Sequence, residues 1–280
     1  MDVAIATCRA LPEPDADETL YKAALTRAGL DARVLAWDDP DAPFADATTV
    51  VIRSTWNYIH NLDRYLAWVD AMGDKLINPR AMVRWNAHKQ YLLDLEAAGV
   101  PVVPTLLARR GEKLPLAAAM IERGWAEVVV KPAVSAGSFE TRRLKVPTAD
   151  DIAWLDGLLA ARDMLVQPYV ASVEGYGERS LVTIDGQVTH AIRKNPRFKD
   201  SHEAVSTGAL PVADDERALA AKALAVARKY GDPMYGRVDM ARDATNTPVI
   251  MELEMIEPSL FFPQNPPAAD AWAQAIKKRL

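Results

Sequence analysis

The chain has 280 residues and a mass of 30.7 kDa, and its 33 Lys and Arg against 38 Asp and Glu give a net charge of −5. Half of the residues are hydrophobic and a quarter are charged, which excludes an intrinsically disordered chain, a coiled coil and a collagen-like fibre. The acidic balance argues against bulk electrostatic binding of nucleic acid or of an anionic membrane.

The sequence also lacks the patterns of export and of disulfide bonding. No apolar run approaches the roughly 20 residues that a membrane span needs, and the first residues carry no signal-peptide pattern. The single cysteine, Cys8, cannot form an internal disulfide and is expected to be a small buried residue. We therefore expect a soluble cytoplasmic protein.

The first eighty residues alternate between strand and helix signals. Strands are predicted at 3–7, 34–37 and 49–52, with helices from Asp17 to Gly29 and over 63–72. This order is typical of a small α/β domain with a parallel sheet. At residues 77–80 the chain is expected to cross from the first domain to the second, so the first domain is placed at 1–82.

The rest of the chain predicts a mixed α/β (α+β) region over 83–280. Asn86 is expected to cap a helix over 87–98, and the Asp185-Gly186 pair between two strand-like segments predicts a type I′ hairpin. A second hairpin is expected over 235–254. Further strands are predicted at 128–132 and 165–170, and helices at 148–161, 214–230 and 268–279.

Four charged residues dominate the second hairpin. Strand side chains alternate between faces, so Arg237 and Asp239 share one face of the first strand, and Glu252 and Glu254 share one face of the second. If the strands pair, three carboxylates and a guanidinium crowd one side of the sheet. Such an oxygen-rich set suits Mg²⁺, although a solvated sheet face gives the same pattern.

Two lysines add candidate phosphate contacts. Lys131 ends an all-valine strand and precedes the small-residue loop Val134–Ser138, whose backbone N–H groups could approach a phosphate closely. Lys89 is predicted in the first turn of the Asn86 helix, where a bound anion would offset the unfavourable helix dipole. An ordinary turn and a surface lysine explain the two patterns equally well.

Other polar residues give weaker signals. The segment Gln167-Pro168-Tyr169-Val170 could present a backbone edge to an adenine, and Glu178 could accept a ribose hydroxyl or lie on the surface. The four histidines have no zinc-site spacing, and no Gly-x-Ser-x-Gly nucleophile motif is present.

Taken in chain order, these motifs resemble the ATP-grasp superfamily. The ordered set comprises Lys89, Gly-Val-Pro-Val-Val-Pro-Thr at 99–105, Val-Val-Val-Lys-Pro at 128–132, Val-Gln-Pro-Tyr-Val at 166–170, Gly-Glu-Arg-Ser-Leu at 177–181, Gly-Arg-Val-Asp at 236–239 and Met-Glu-Leu-Glu at 251–254. The resemblance covers roughly 83–265. Within the superfamily the chain is most similar to the cycloserine-forming ligases, which close O-ureido-D-serine, and to the glutathione-synthetase-like group. The residues behind that finer comparison are 83–85, 190–194 and 257–260.

The resemblance implies a role for each motif position. Lys89 and Lys131 would hold ATP phosphates under a loop that includes Ser135, Gly137 and Ser138. Gln167, Tyr169 and Val170 would edge the adenine, and Glu178 would meet the ribose. Asp239, Glu252 and Glu254 would bind two Mg²⁺ ions. Arg237 and Lys131 would act in catalysis, and Arg53, Ser54, Lys194, Glu257 and Ser259 are weaker substrate candidates.

Two segments depart from the pattern of close relatives. The segment 199–205 lacks an arginine that many relatives carry in a Gly-Asp-Phe-Arg-Val-Gln motif. The Trp-Asn-Tyr sequence at 56–58 has Asn57 where a related pattern near the substrate has Asp. Neither departure removes a predicted phosphate or metal position.

The resemblance implies an ATP-grasp domain over 83–280, with a lid-like subdomain at about 106–168 and a C-terminal subdomain at about 169–280. It also implies an ATP- and Mg²⁺-dependent ligase that activates a small carboxylate, of an amino acid or short peptide, as an acyl-phosphate for attack by an amine. Three alternatives stay open: a ring-closing ligase acting on an O-ureido-serine-like substrate, a simple phosphotransferase, and a nucleotide-binding regulatory protein without turnover. A homodimer is expected from relatives, with small molecules as the only other partners.

Overall fold

The strands of the computed structural model form three four-stranded sheets within the residues that it describes, which are 1–137, 139–195 and 204–280. The N-terminal sheet has the order β2-β1-β3-β4 and is parallel throughout. Its strands are β1 (Val3–Thr7), β2 (Ala32–Ala36), β3 (Thr49–Ser54) and β4 (Leu76–Ile77). This confirms the predicted parallel sheet in the first part of the chain.

The other two sheets are antiparallel. The middle sheet, in the order β5-β8-β6-β7, contains β5 (Leu106–Ala108), β6 (Val128–Pro132), β7 (Arg142–Leu144) and β8 (Met164–Pro168). The C-terminal sheet, in the order β10-β9-β11-β12, contains β9 (Glu178–Ile184), β10 (Gln187–Lys194), β11 (Tyr235–Arg242) and β12 (Pro248–Glu254). Both predicted hairpins are confirmed, and Asp185 and Gly186 have φ of 52° and 76°, as a type I′ turn requires.

Eight α-helices cover the sheets in the described part of the chain. They are α1 (Glu18–Arg27), α2 (Leu62–Met72), α3 (Arg80–Asn86), α4 (Tyr91–Ala97), α5 (Leu116–Arg123), α6 (Ala149–Leu159), α7 (Asp214–Ala227) and α8 (Pro267–Lys277). None of these helices is both long enough and apolar enough to span a bilayer.

The prediction of one helix over 87–98 is wrong. Asn86 ends α3 instead of capping a helix, and α4 begins only at Tyr91. The physical reason is a competing partner for the Asn86 amide, which donates to Leu253 O at 2.8 Å and accepts from Met255 N at 2.7 Å. Lys89 therefore lies in the turn between α3 and α4, with its backbone N–H donated to Ala133 O.

The hydrophobic core joins the two ends of the chain. Trp272 and Ile276 of α8 are fully buried in one cluster with Val3 and Ile5 of β1, so the last helix covers a face of the N-terminal sheet. Separate clusters lie beneath α5 and α6 on the middle sheet and beneath α4 and α7 on the C-terminal sheet. Burial of these apolar faces is the main favourable term in folding.

Buried polar side chains fix the N-terminal sheet against the C-terminal sheet. The Asn78 amide donates to Tyr235 O and Met255 O, both at 2.8 Å, and accepts from Met234 N at 2.7 Å. The Tyr235 hydroxyl contacts Ile52 O at 2.7 Å and Ile256 O at 2.8 Å. These bonds hold the segment after β12 against the carboxyl end of β3.

We expect Asn78→Ala to lower the free energy of unfolding by about 1–3 kcal/mol, since it leaves buried backbone groups without partners. Urea titration followed by circular dichroism measures the change. Gln274→Ala, at an exposed position of α8, is the control and is expected to stay within about 0.5 kcal/mol. Equal midpoints for the two variants would show that Asn78 does not join the sheets.

Candidate active site

The pairing of β11 with β12 brings the predicted charged residues together. Arg237 lies opposite Glu254, and Asp239 lies opposite Glu252. The three carboxylates and the guanidinium therefore share one face, as the strand periodicity predicts. Asp239 and Arg237 are almost completely buried, whereas Glu252 and Glu254 are partly exposed.

Glu252 is shared between two lysines that come from different parts of the fold. Its Oε1 lies 2.6 Å from Lys131 Nζ, at the end of β6, and its Oε2 lies 3.2 Å from Lys89 Nζ, in the turn before α4. Both lysines are more than nine-tenths buried. Burial disfavours the charge on Glu252, but Lys131 and Lys89 outweigh it and hold its pKa well below the usual range.

A second charged network surrounds Asp239. Its carboxylate accepts from Arg237 Nε and from Lys194 Nζ, each at 2.8 Å. Arg237 also contacts Glu254 at 2.5 Å, and Lys194 contacts Glu178 at 2.5 Å. Although burial opposes ionisation, Arg237 and Lys194 lower the pKa of Asp239. Burial dominates at Glu178 and raises its pKa to about 7, against the attraction of Lys194.

Both networks face one cavity of about 460 Å³, which lies between the three sheets. Eleven residues proposed from the sequence line it: Lys89, Lys131, Ser135, Gly137, Glu178, Lys194, Arg237, Glu252, Glu254, Glu257 and Ser259. Asp239 lies directly behind this wall, in contact with Arg237 and Lys194. The predicted phosphate and metal residues are thus close together in space.

The small-residue loop after β6 covers one side of the cavity. Lys89 Nζ donates to Ser135 O at 3.3 Å, and Gly137 has a φ of 59°, a conformation that favours glycine. Beyond the loop, the Phe139 ring meets the His60 ring edge-on, with centroids 5.4 Å apart. Ser138, proposed as a phosphate contact, lies outside the described residues.

The predicted adenine edge lies beside the cavity. Gln167 pairs with the cavity residue Val129 in the middle sheet, and its side chain donates to Thr105 Oγ1 at 2.9 Å. The Tyr169 hydroxyl donates to Glu174 at 2.8 Å. Neither of these residues nor Val170 is among the described residues that line the cavity, so their contact with adenine stays a prediction.

Arg53 and Ser54 lie outside the described residues that line the cavity. Arg53 is buried, and its two terminal nitrogens contact Asp17 Oδ2 and Pro258 O, each at 2.9 Å. Ser54 Oγ contacts Thr7 Oγ1 at 2.9 Å. The contact of Arg53 and Ser54 with a substrate stays a prediction.

Of the two departures from the family pattern, the structure describes Asn57 but only the end of the segment 199–205. Asn57 accepts from Trp37 Nε1 at 2.7 Å and donates to Asp38 Oδ2 at 2.8 Å. An aspartate could not donate to Asp38, so the amide suits this position. The segment 199–205 lies outside the described residues except for 204 and 205.

The sequence patterns missed several cavity residues. Glu13, His60, Tyr91 and Phe139 all line the cavity but belong to no motif. They come from loops and elements far apart in the chain, so neither spacing nor periodicity connects them.

The charges on the carboxylates are balanced by side chains in this arrangement. Among the described residues, no three His, Cys, Asp or Glu side chains form a group that could hold a metal ion. Glu252 contacts two lysines, and Asp239 and Glu254 contact Arg237. The oxygen-only donor set still suits a hard divalent cation, provided that the lysines acquire other anionic partners.

Comparisons with known proteins agree with these observations. A family model described as the N-terminal domain of D-cycloserine synthetase DcsG matches residues 3–78. The cycloserine biosynthesis protein DcsG of Streptomyces lavendulae is 36% identical over 272 residues, with 90% of each chain covered. The crystal structure of D-cycloserine synthetase DcsG matches with a TM-score of 0.92 and 32% identity, over 100% of this chain and 99% of that one.

More distant structures share the fold alone. D-alanine–D-alanine ligase from Bacillus anthracis matches with a TM-score of 0.69 at 14% identity, over 99% of this chain and 96% of that chain. The ATP-grasp ligase PsnB in complex with a precursor peptide and AMPPNP matches with a TM-score of 0.64 at 18% identity, over 99% of this chain and 98% of that one.

We expect Lys131→Met to weaken ATP binding by at least about tenfold, because a hydrogen bond to a charged group is lost at a buried site. Isothermal titration calorimetry with a non-hydrolysable ATP analogue and Mg²⁺ measures the dissociation constant. Lys145→Met is the matched control, since the side chain of Lys145 is 73% exposed. Unchanged binding by the Lys131 variant would place the phosphates elsewhere.

Proposed function

This chain belongs to the D-cycloserine synthetase family of ATP-grasp ligases, and we propose that it closes a ring within an O-ureido-serine-like substrate. The ligase activates the substrate carboxylate with ATP, and a nitrogen of the same molecule then attacks the activated carbon. This proposal takes its substrate class from the relatives and its residue roles from the cavity.

The sharing of Glu252 between Lys89 and Lys131 is the observation that carries the proposal. Two buried ammonium groups lie on one carboxylate at 2.6 and 3.2 Å. The phosphates of ATP would offer both lysines several anionic oxygens, and a divalent cation would compensate the charge of Glu252 once the lysines had left it. MgATP brings the anion for the lysines and the cation for Glu252 together, so its binding would exchange one set of ion pairs for another.

The residues suit magnesium after this exchange. Mg²⁺ binds through one or two carboxylates together with substrate phosphates, and Glu252 faces the cavity beside Glu254. Asp239 lies behind them, opposite Glu252 in the sheet. Asp239, Glu252 and Glu254 would hold two Mg²⁺ ions, which would offset the negative charge of the ATP phosphates.

The remaining residues neutralise charge and exclude water. Lys89 and Lys131 offset the negative charge that spreads over the transferring phosphoryl oxygens. Arg237, within the carboxylate face, stabilises the acyl-phosphate and the oxyanion that forms when the nitrogen attacks. Phosphate then leaves as the ring closes. Ser135, Ala136 and Gly137 of the loop, together with Phe139, line the cavity and shield the acyl-phosphate from hydrolysis.

A division of the chain into two domains accompanies this proposal. Residues 1–82 would form the N-terminal domain, and 83–280 the ATP-grasp domain, with the middle sheet as its lid-like part. The separate hydrophobic cluster under α5 and α6 supports a distinct lid-like part within the ATP-grasp domain.

We expect O-ureido-D-serine with MgATP to give ADP, phosphate and a cyclic product without any added amine. Coupled phosphate release and mass spectrometry of the product measure the reaction. The panel includes amino acids and short peptides, each with and without a second amine. Glu252→Gln is expected to lower kcat by about 100-fold or more, as for loss of an electrostatic contact to the reacting group.

Two results would contradict the ring-closing proposal. A strict requirement for a second amine would identify a two-substrate carboxylate–amine ligase. A stable phosphorylated product would identify a phosphotransferase. Exposed Glu96→Gln, on α4, serves as the control for nonspecific loss of activity.

A further inference from the structure

The glutamates of the cavity differ in how their charges are balanced. Glu178 lies 2.5 Å from Lys194, Glu252 lies 2.6 Å from Lys131, and Glu254 lies 2.5 Å from Arg237. Glu257 also lines the cavity, yet its carboxylate has no ion pair with any lysine, arginine or histidine in the described parts of the chain. It therefore brings an acidic group without an ion pair to a wall on which Glu178, Glu252 and Glu254 have cationic partners.

The position of Glu257 is fixed by its neighbours. It lies in the segment after β12, where its backbone carbonyl accepts from Trp56 Nε1 at 3.1 Å. The next carbonyl, of Pro258, accepts from Arg53 at 2.9 Å. These two hydrogen bonds hold the backbone against the end of β3. The half-buried Glu257 side chain therefore starts from a fixed backbone position.

The surroundings of Glu257 favour a cationic ligand. Burial, followed by the nearby charge of Glu254, raises the pKa of Glu257 to about 8. Trp56 and Tyr58 line the same cavity, and Trp56 Nε1 donates to the Glu257 carbonyl at 3.1 Å. Aromatic faces attract cations. A carboxyl group near an aromatic ring is suited to an ammonium group.

The cavity wall carries both cationic and acidic residues. Lys89 and Lys131 share Glu252, and Lys89 also contacts Ser135 O. The Glu257 backbone lies beside the N-terminal sheet, and Glu257 lines the same cavity. Arg237 lines the cavity as well and contacts Glu254 and Ser259 O. An amino acid can place its carboxylate towards Arg237 and the phosphates while its ammonium group points towards Glu257.

We propose that Glu257 binds the primary ammonium group of an amino-acid substrate and thereby selects substrates that carry one. This inference rests on the proposed function, because it assumes that the activated carboxylate belongs to an amino acid. Glu257 positions the substrate and takes no proton from the attacking nitrogen.

The test compares O-ureido-D-serine with its deamino analogue, (ureidooxy)propanoate, on the native protein and on Glu257→Gln. We expect the variant to raise KM for the amino compound by about 10- to 100-fold, as for loss of a hydrogen bond between charged groups. Its kcat is expected to stay within about threefold, since the transition-state contacts are kept. KM for the deamino analogue is expected to be the same in both proteins.

A second variant and a binding measurement keep the test independent of folding and of turnover. Glu257→Asp retains a carboxyl group and is expected to recover part of the affinity. Calorimetric titration of each compound, with a non-hydrolysable ATP analogue present, gives the same comparison without catalysis. If the native protein forms no product but still prefers the amino compound through Glu257, the proposed ring closure fails and the inference stands.

Two outcomes would overturn the inference. Equal affinity of native and Glu257→Gln proteins for the amino compound would show that the ammonium group binds elsewhere. A fall in kcat with KM unchanged, and of equal size for both compounds, would assign Glu257 to proton transfer.

Discussion

The ion pairs of Glu252 with Lys89 and Lys131 join three parts of the fold at one point. Lys131 ends a strand of the middle sheet, Lys89 lies between α3 and α4, and Glu252 belongs to the C-terminal sheet. Removing one member of such a buried set leaves an uncompensated charge, which is strongly unfavourable. The end of β6, the turn before α4 and β12 must therefore stay together unless a ligand supplies new partners for these charged groups. The shape of the cavity thus depends on these ion pairs.

The same principle accounts for the rest of the charged wall. Asp239 is almost fully buried and keeps its charge because Arg237 and Lys194 contact it. A hydrogen-bonded set of this kind is ordered before any substrate arrives, so little reorganisation is needed when charge develops during the reaction. Glu257 differs because no described side chain forms an ion pair with it. It lines the cavity and is open to a ligand there. In the function that we propose, the ion-paired residues serve ATP, and Glu257 serves the substrate.

The sequence predicts the parts of the site that follow from local geometry. Strand alternation is enough to place Arg237 and Glu254 on one face, and the structure confirms the pairing. Prediction fails where a polar side chain has a partner far along the chain. Asn86 has the pattern of a helix cap, yet its amide bonds to β12 and the residue after it. The unpaired state of Glu257 is likewise a tertiary property that no spacing encodes.

The exchange of ion pairs at Glu252 is tested most directly by the affinity of an ATP analogue in native protein and in Glu252→Gln, with and without Mg²⁺. Without Mg²⁺, native ATP binding must displace Glu252 from both lysines, whereas the variant leaves them free. The account therefore predicts that Glu252→Gln binds metal-free nucleotide more tightly than the native protein and binds the magnesium complex more weakly. A variant that weakens both forms equally, or neither, would contradict the exchange.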